Sequence, residues 1–511
     1  MKKIVVLLLA AAYLAGNVVA AQAIDFRIRG DWMFGFGLVD TNYVKKVGNK
    51  KVATTDDFAS LQRVRLQMDA VASEALSGNL FLEIGETPWG RSARGGALGA
   101  DGTNLIKVKR AYIDWLVPNT DLRIRMGLQG ITLPNAAGGS TFWDDDGAAI
   151  TASYTFNEHV GLTAMWARPY NDNYAGELQA DGSVRDVNFL DNVDMFMLSV
   201  PLTFEGFKLT PWAMYGMIGK NVTTGGASST YYDYGTRPFF MAINDPLINA
   251  ATENPIGRFN DSKPWVSAVY AGLPVVIDAF DPLHIEIDLN YAYVESRGRF
   301  DIRNQADGRV RRADSRREGW LAKALVEYKM DWGTPGIFGW YASGDDDSVT
   351  NGSERMPSFS PAGYFTSFIG DGFGWGTFAG RAYDQSLHYG GTWGIGAQIK
   401  DVSFLEDLTH TLRVTYWGGT NSTRMTDYLG MTDATTTVGV SPAGFYLTTA
   451  DHLVEINLDS VYKIYENLEA RLELGYIING IAKGTWERSF HHSSFSKSDG
   501  YKAGVIFSYK F

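Results

Sequence analysis

The sequence predicts an all-β fold: a transmembrane, antiparallel, up-and-down β-barrel of about eighteen strands, with sixteen as the alternative. Three observations predict it. The last twelve residues, GYKAGVIFSYKF, place Tyr501, Ala503, Val505, Phe507, Tyr509 and Phe511 at every second position, and only a strand puts those side chains on one face. Short alternating segments recur from residue 24 onward, and no later apolar run approaches the ~20 residues of a helical membrane span. Connections between the segments are short and long by turns, as a barrel with turns at one end and loops at the other requires.

Residues 1–23 carry Lys2 and Lys3, an apolar run and the small-residue site Ala21-Gln22-Ala23, the pattern of a cleaved secretory signal peptide. Residues 24–511 are then one barrel domain, since no linker-like stretch divides them. Loss of the two lysines takes the formal charge from -11 to -13, which argues against a nucleic-acid partner. The absence of cysteine excludes disulfides and every thiol-based catalytic or metal site.

Taken in order, strand one (24–39) opposes Phe26, Ile28, Trp32, Phe34 and Phe36 to Arg27, Arg29 and Asp31. A polar loop (40–57) leads to strand two, where Val64, Leu66 and Met68 alternate with Arg63, Arg65 and Asp69. Ser77-Gly78-Asn79 turns into strand three (80–86), and a glycine-rich loop (88–103) follows. Strand four sets Ala111, Ile113 and Trp115 against Arg110, Tyr112 and Asp114; strand five sets Leu122, Ile124, Met126 and Leu128 against Arg123 and Arg125. The third long loop is expected over 130–147. Further strands are expected at 148–156, 160–168, 192–204, 207–218, 265–274, 283–295, 320–330, 336–343, 392–402, 411–417, 453–465, 468–478 and 500–511. A soluble propeller or solenoid would need a recurring sequence period, and none is visible.

The closing segment turns Lys502, Gly504, Ser508 and Lys510 to the opposite face. It resembles the last strand of bacterial outer-membrane barrels, in which Tyr501, Val505, Phe507, Tyr509 and the terminal Phe511 would be recognised by the barrel-assembly machinery. Aromatics fall at the segment ends as two interfacial girdles require. Trp115, Phe156, Phe204, Tyr328, Trp332, Tyr465 and Phe511 lie at short turns; Trp166, Tyr170, Trp340, Trp417 and Tyr476 lie toward long loops.

Seven arginines share the polar parity of strands one, two, four and five: Arg27, Arg29, Arg63, Arg65, Arg110, Arg123 and Arg125. They would form a basic ladder that aligns anions along the lumen, or would pair locally with Asp31, Asp69 and Asp114. In the third loop, Asp144, Asp145 and Asp146 follow a glycine hinge and are candidates for a constriction opposite that ladder. A solvated acidic turn or a calcium contact fits the same residues. Asp345-Asp346-Asp347 carries the same ambiguity. Glu286, Asp288, Glu455, Asp459, Glu469 and Glu473 suggest an acidic far wall.

IDFRIRGDWMFGFG, FWDDDGAAITASYTFNEHVGLTAMWARPYNDN and the aromatic C-terminus together make the chain similar to the outer-membrane homotrimeric porins of sulfate-reducing bacteria. That resemblance implies a Gram-negative outer membrane, contact with its lipid and lipopolysaccharide, a homotrimer, and passive diffusion of small hydrophilic solutes and ions. A substrate-selective channel of eighteen strands, for an anion or small organic solute, is the alternative. A closed structural anchor is a third class. No enzyme or cofactor is expected: GxSxG, HExxH and P-loop motifs are absent, His491-His492 lacks ligand spacing, and Gly372, Gly374 and Gly376 lack a strand-to-helix context.

Overall fold

The structure, a computed structural model, describes residues 24–40, 44–47, 50–51, 57–90, 106–171, 192–219, 263–296, 298–304, 306–358, 365–366, 389–428, 440–441, 444–487 and 494–511. The signal peptide expected over residues 1–23, the His491-His492 pair and the Gly372 to Gly376 run lie outside them.

Alternation becomes a single antiparallel sheet that closes on itself. Its strands are β1 (Asp25–Asp40), β2 (Asp57–Ser73), β3 (Leu76–Pro88), β4 (Ile106–Leu116), β5 (Leu122–Thr132), β6 (Asp144–Thr155) and β7 (Gly161–Asn171). Then come β8 (Asn192–Ser199, continued by Leu202–Phe204), β9 (Phe207–Leu209, continued by Trp212–Gly219), β10 (Trp265–Phe280), β11 (Leu283–Val294), β12 (Arg317–Tyr328) and β13 (Thr334–Ala342). The last five are β14 (Thr392–Leu405), β15 (Leu408–Gly419), β16 (His452–Tyr465), β17 (Leu468–Asn479) and β18 (Gly500–Lys510). Twenty hydrogen-bonded segments thus make eighteen strands. The breaks in β8 and β9 fall at Pro201 and Pro211, which have no N–H to give to a ladder.

Closure is made by the first and last strands. β1 pairs with β2 on one side and β18 on the other, with Trp32 opposite Tyr509 and Phe34 opposite Phe507. Beyond Lys510, Gly30 and Phe511 exchange both backbone hydrogen bonds, at 2.8 and 3.0 Å. No sheet edge is left there, which removes the template for aggregation.

The register carries each face around the barrel. Tyr501, Phe507, Tyr509 and Phe511 are exposed and Val505 shares their face, while Lys502, Gly504 and Ser508 are buried inside. Ile337, Ile395, Leu412 and Ile456 continue the exposed apolar belt. Such a belt on a closed barrel is stable in lipid, so the chain forms a transmembrane β-barrel. Phe156, Phe204, Tyr328, Trp332 and Tyr465 ring the short-turn end; Trp166, Trp265, Trp320, Tyr341 and Tyr476 ring the other.

Three expected girdle residues point the other way: Trp340, Trp417 and Tyr170, the last packed against the buried core opposite Val193 beside a bulge. Trp340 and Trp417 are 4% and 0% exposed, because the outward parity of β13 and β15 is taken by Ile337, Tyr341, Leu412, Val414 and Tyr416. The long loops are numbered in chain order; three matter below: L3 (133–143), L7 (343–391) and L8 (420–451).

Candidate functional site: the lumen and its constriction

Strand alternation turns Arg27 and Arg29 of β1, Arg63 and Arg65 of β2, and Arg123 and Arg125 of β5 to the same inner wall. In the β1/β2 register Arg27 faces Asp69, Asp31 faces Arg65 and Met33 faces Arg63. Six residues of strand separate the first and last levels, about 20 Å at ~3.3 Å per residue. Exposure falls along that path, from 67% and 63% for the Arg29 and Arg123 side chains, through 24% for Arg65, to 3% for Arg63. The ladder therefore starts at the short-turn mouth and runs inward.

Its arginines are also paired locally, with the expected Asp69 and Asp114 and with Asp25 and Glu83 besides. Arg27 Nε lies 2.8 Å from Asp25, Arg29 Nη2 3.5 Å from Asp69 and Arg65 Nε 2.9 Å from Glu83. Asp114 receives Arg123 at 3.1 Å and Arg125 at 2.6 Å. Arg125 also stacks over Tyr112, 4.5 Å from the ring centre. Between these groups lies a cleft of about 450 Å³ lined by Arg27, Arg29, Arg125, Asp69, Asp114 and Tyr112 among others. Its exposed guanidinium groups keep donors for a passing anion.

Arg110 stands apart from that row. The β4/β5 pairing stops at Ala111 opposite Leu128, and a bulge in β4 falls between Arg110 and Val108. There Arg110 lies across Gly130 and meets Asp146 at 2.6 Å.

The acidic triplet is likewise placed differently from the sequence expectation. Asp144, Asp145 and Asp146 open strand β6 and are not part of the loop. Asp144 and Asp146 share the outward parity of Ala148 and Ile150, opposite Thr132 and Gly130. Asp144 accepts from Thr132 at 2.7 Å, Asp145 accepts the Asp146 N–H at 2.7 Å, and Asp146 also meets Lys109 at 3.0 Å. The triplet thus ties strands together at the rim. Among the described residues no three His, Asp or Glu side chains are grouped to hold a metal ion.

The third loop does fold into the barrel. Leu133, Ala137, Phe142 and Trp143 are at most 2% exposed. Phe142 meets Trp212 of β9 and Tyr270 of β10 edge to face, with centroids 5.6 and 5.2 Å apart. Trp212 Nε1 donates to Pro134 O at 3.0 Å, and the Ala136 N–H donates to Asp288 of β11 at 2.9 Å. L3 therefore crosses from β5 to the opposite wall and shares one buried apolar cluster with Met165, Met195, Met214 and Ala268.

L7 covers the adjoining wall. Phe365 stacks on Phe338 (4.7 Å) and Trp340 (5.9 Å), and Trp340 meets Trp417 at 4.2 Å and Tyr389 at 5.4 Å. Gly394 and Gly396 of β14 make room for these rings: a Cβ at either would run into Trp340 or Phe338. Outside the lipid span, L7 and L8 share a polar network. Asp345 accepts from Ser353 at 2.6 Å, Glu354 N at 3.2 Å and Tyr446 at 2.7 Å, while Glu354 accepts the Asp346 N–H at 3.1 Å. Burial lifts the Glu354 carboxyl to about 7, and the charges of Asp345 and Asp346 push the same way.

The far wall holds the six expected carboxylates on inward parity, five of them beside a basic side chain and Glu455 beside neutral donors. Glu286 lies 3.1 Å from His284, Asp288 3.4 Å from Lys323, Asp459 2.5 Å from Arg413, Glu469 2.5 Å from Arg471 and Glu473 2.6 Å from Lys502. Glu455 accepts from Trp417 at 3.0 Å and Asn457 at 2.9 Å. The sequence reading placed Lys502 on this inner face but did not single out Lys323, Arg413 or Tyr389. Lys323 was detectable by parity, since it sits between outward-facing Ala322 and Ala324.

No family model and no curated sequence matches the chain. Among solved structures, a BenF-like porin from Pseudomonas fluorescens is similar at 8% identity, covering 95% of this chain and 98% of that one, with a TM-score of 0.48. OccK8 (OprE) of Pseudomonas aeruginosa is similar at 11% identity, 95% and 98% coverage and a TM-score of 0.48. OpdK of the same organism, solved with vanillate, is similar at 10% identity, 95% and 98% coverage and a TM-score of 0.46.

Proposed function

We propose that this barrel is a substrate-selective outer-membrane channel for small organic anions. The observation that carries the reading is the inner arginine row, graded from the exposed Arg29 and Arg123 to the buried Arg63, on a wall that neither L3 nor L7 covers among the described residues. A solute confined to that side passes several fixed guanidinium groups in turn. Each offers planar donors suited to a carboxylate, and local acids keep the row from binding any anion too tightly to release.

A trimeric general porin, the arrangement implied by the sequence resemblance, is the second reading. The inward fold of L3 favours it, because a general porin also needs a narrowed bore. Planar-bilayer recording separates the two. Conductance steps that benzoate or a similar monocarboxylate blocks in a concentration-dependent way support the selective channel. Large unblocked steps that close in threes support the trimeric general porin.

A further inference from the structure

Asp288 of β11 and Lys323 of β12 are directly opposite in register, and their side chains are 1% and 0% exposed at 3.4 Å separation. Both are also engaged by the tip of L3. Asp288 Oδ2 accepts the Ala136 N–H at 2.9 Å, and Lys323 Nζ donates to Gly139 O at 2.7 Å. The tip can present these groups to one wall because Gly138 and Gly139 take φ of +61° and +76°, the left-handed region that glycine enters without steric cost. L7 reaches the same point: Tyr389 Oη donates to Gly138 O at 3.1 Å, and Lys323 Nζ lies 5.2 Å from the Tyr389 ring centre. The register continues the row from Lys323 to Trp340, Gly394 and Trp417.

An ion pair needed only to neutralise a wall would be indifferent to which strand carried which sign. Here the signs are set by the loop. A carboxylate can only accept, so it suits the Ala136 N–H; an ammonium can only donate, so it suits the Gly139 carbonyl. We infer that Asp288 and Lys323 are positioning residues that read the polarity of the L3 tip and, through Tyr389, join L3 and L7 into one constriction. The inference rests on the channel reading for its consequence in conduction, and on the loop contacts alone for its geometry.

The test compares Lys323→Met, Tyr389→Phe and the swap Asp288→Lys/Lys323→Asp with the unaltered full chain, each checked for a folded barrel by heat-modifiable electrophoretic mobility. The swap keeps both charges but reverses donor and acceptor. Expected are a conductance rise of roughly twofold with new substates in Lys323→Met and in the swap. Substates at near-normal conductance are expected in Tyr389→Phe. Hydrogen exchange at the Ala136 amide, which needs no conduction, should accelerate in Lys323→Met and in the swap. If the swap behaves like the unaltered protein in both readouts, the pair only neutralises the wall and the inference is overturned. Unchanged exchange in Lys323→Met overturns it as well. A swap that fails to fold leaves Lys323→Met and Tyr389→Phe to decide. An unaltered barrel that conducts nothing while exchange still responds overturns the channel reading and leaves the latch standing.

Discussion

The Arg125 guanidinium lies 4.5 Å above the Tyr112 ring and 2.6 Å from Asp114, which also receives Arg123 at 3.1 Å. One carboxylate thus serves two guanidinium groups, leaving a local excess of positive charge at the mouth of the lumen. Arg125 is held in place by stacking, whereas the Arg123 side chain, 63% exposed, is the freer of the two.

Arg123→Ala should lower anion preference moderately, and Arg125→Ala more strongly, since it removes the pre-oriented group. Reversal potentials across a salt gradient check this. Equal shifts in both variants would take the stacked geometry out of the explanation.

Gly394→Ala should loosen L7 without opening the barrel. The added methyl displaces the Trp340 ring, and overpacking of this kind costs about 1–3 kcal/mol. Thermal unfolding should shift downward, and proteolysis within L7 should quicken. An unchanged profile would show that Trp340 relaxes freely.

The L7–L8 network should depend on pH through Glu354. Its carboxyl is raised by burial to about 7 from an ordinary 4.5, so the folded loops prefer the neutral form. The stability this group contributes is fully present below about pH 4.5 and is lost as pH rises through 7. Loop protection in hydrogen exchange should therefore fall between pH 5 and 8, and Glu354→Gln should flatten that dependence.

Deletion of Phe511 should reduce the yield of folded barrel, because the residue exchanges two backbone bonds with Gly30 and lays its ring over that glycine. The folded fraction in heat-modifiable electrophoresis is the measurement. A normal yield would make closure independent of the last residue.

Period-two alternation made the strands, their number and the short-long order of connections readable, because lipid and water impose opposite demands on adjacent residues. The inward arginines of β1, β2 and β5 were readable for the same reason. Arg110 was not, because a bulge and the end of β4/β5 pairing redirect it. The Asp144 to Asp146 triplet was assigned to the loop because charge resembles loop composition, although its backbone continues the β6 ladder. Trp340 and Trp417 followed from parity that a girdle pattern obscured. The L3 latch needed contacts over 184 residues of sequence separation, which no local pattern carries.

The central reading is tested most directly by single-channel recording of the purified barrel in a planar bilayer under a KCl gradient. The expected result is a reversal potential of the sign for anion preference, with steps that a small monocarboxylate blocks and that Arg125→Ala makes less selective. Cation preference, or conductance indifferent both to carboxylates and to Arg125, would contradict it.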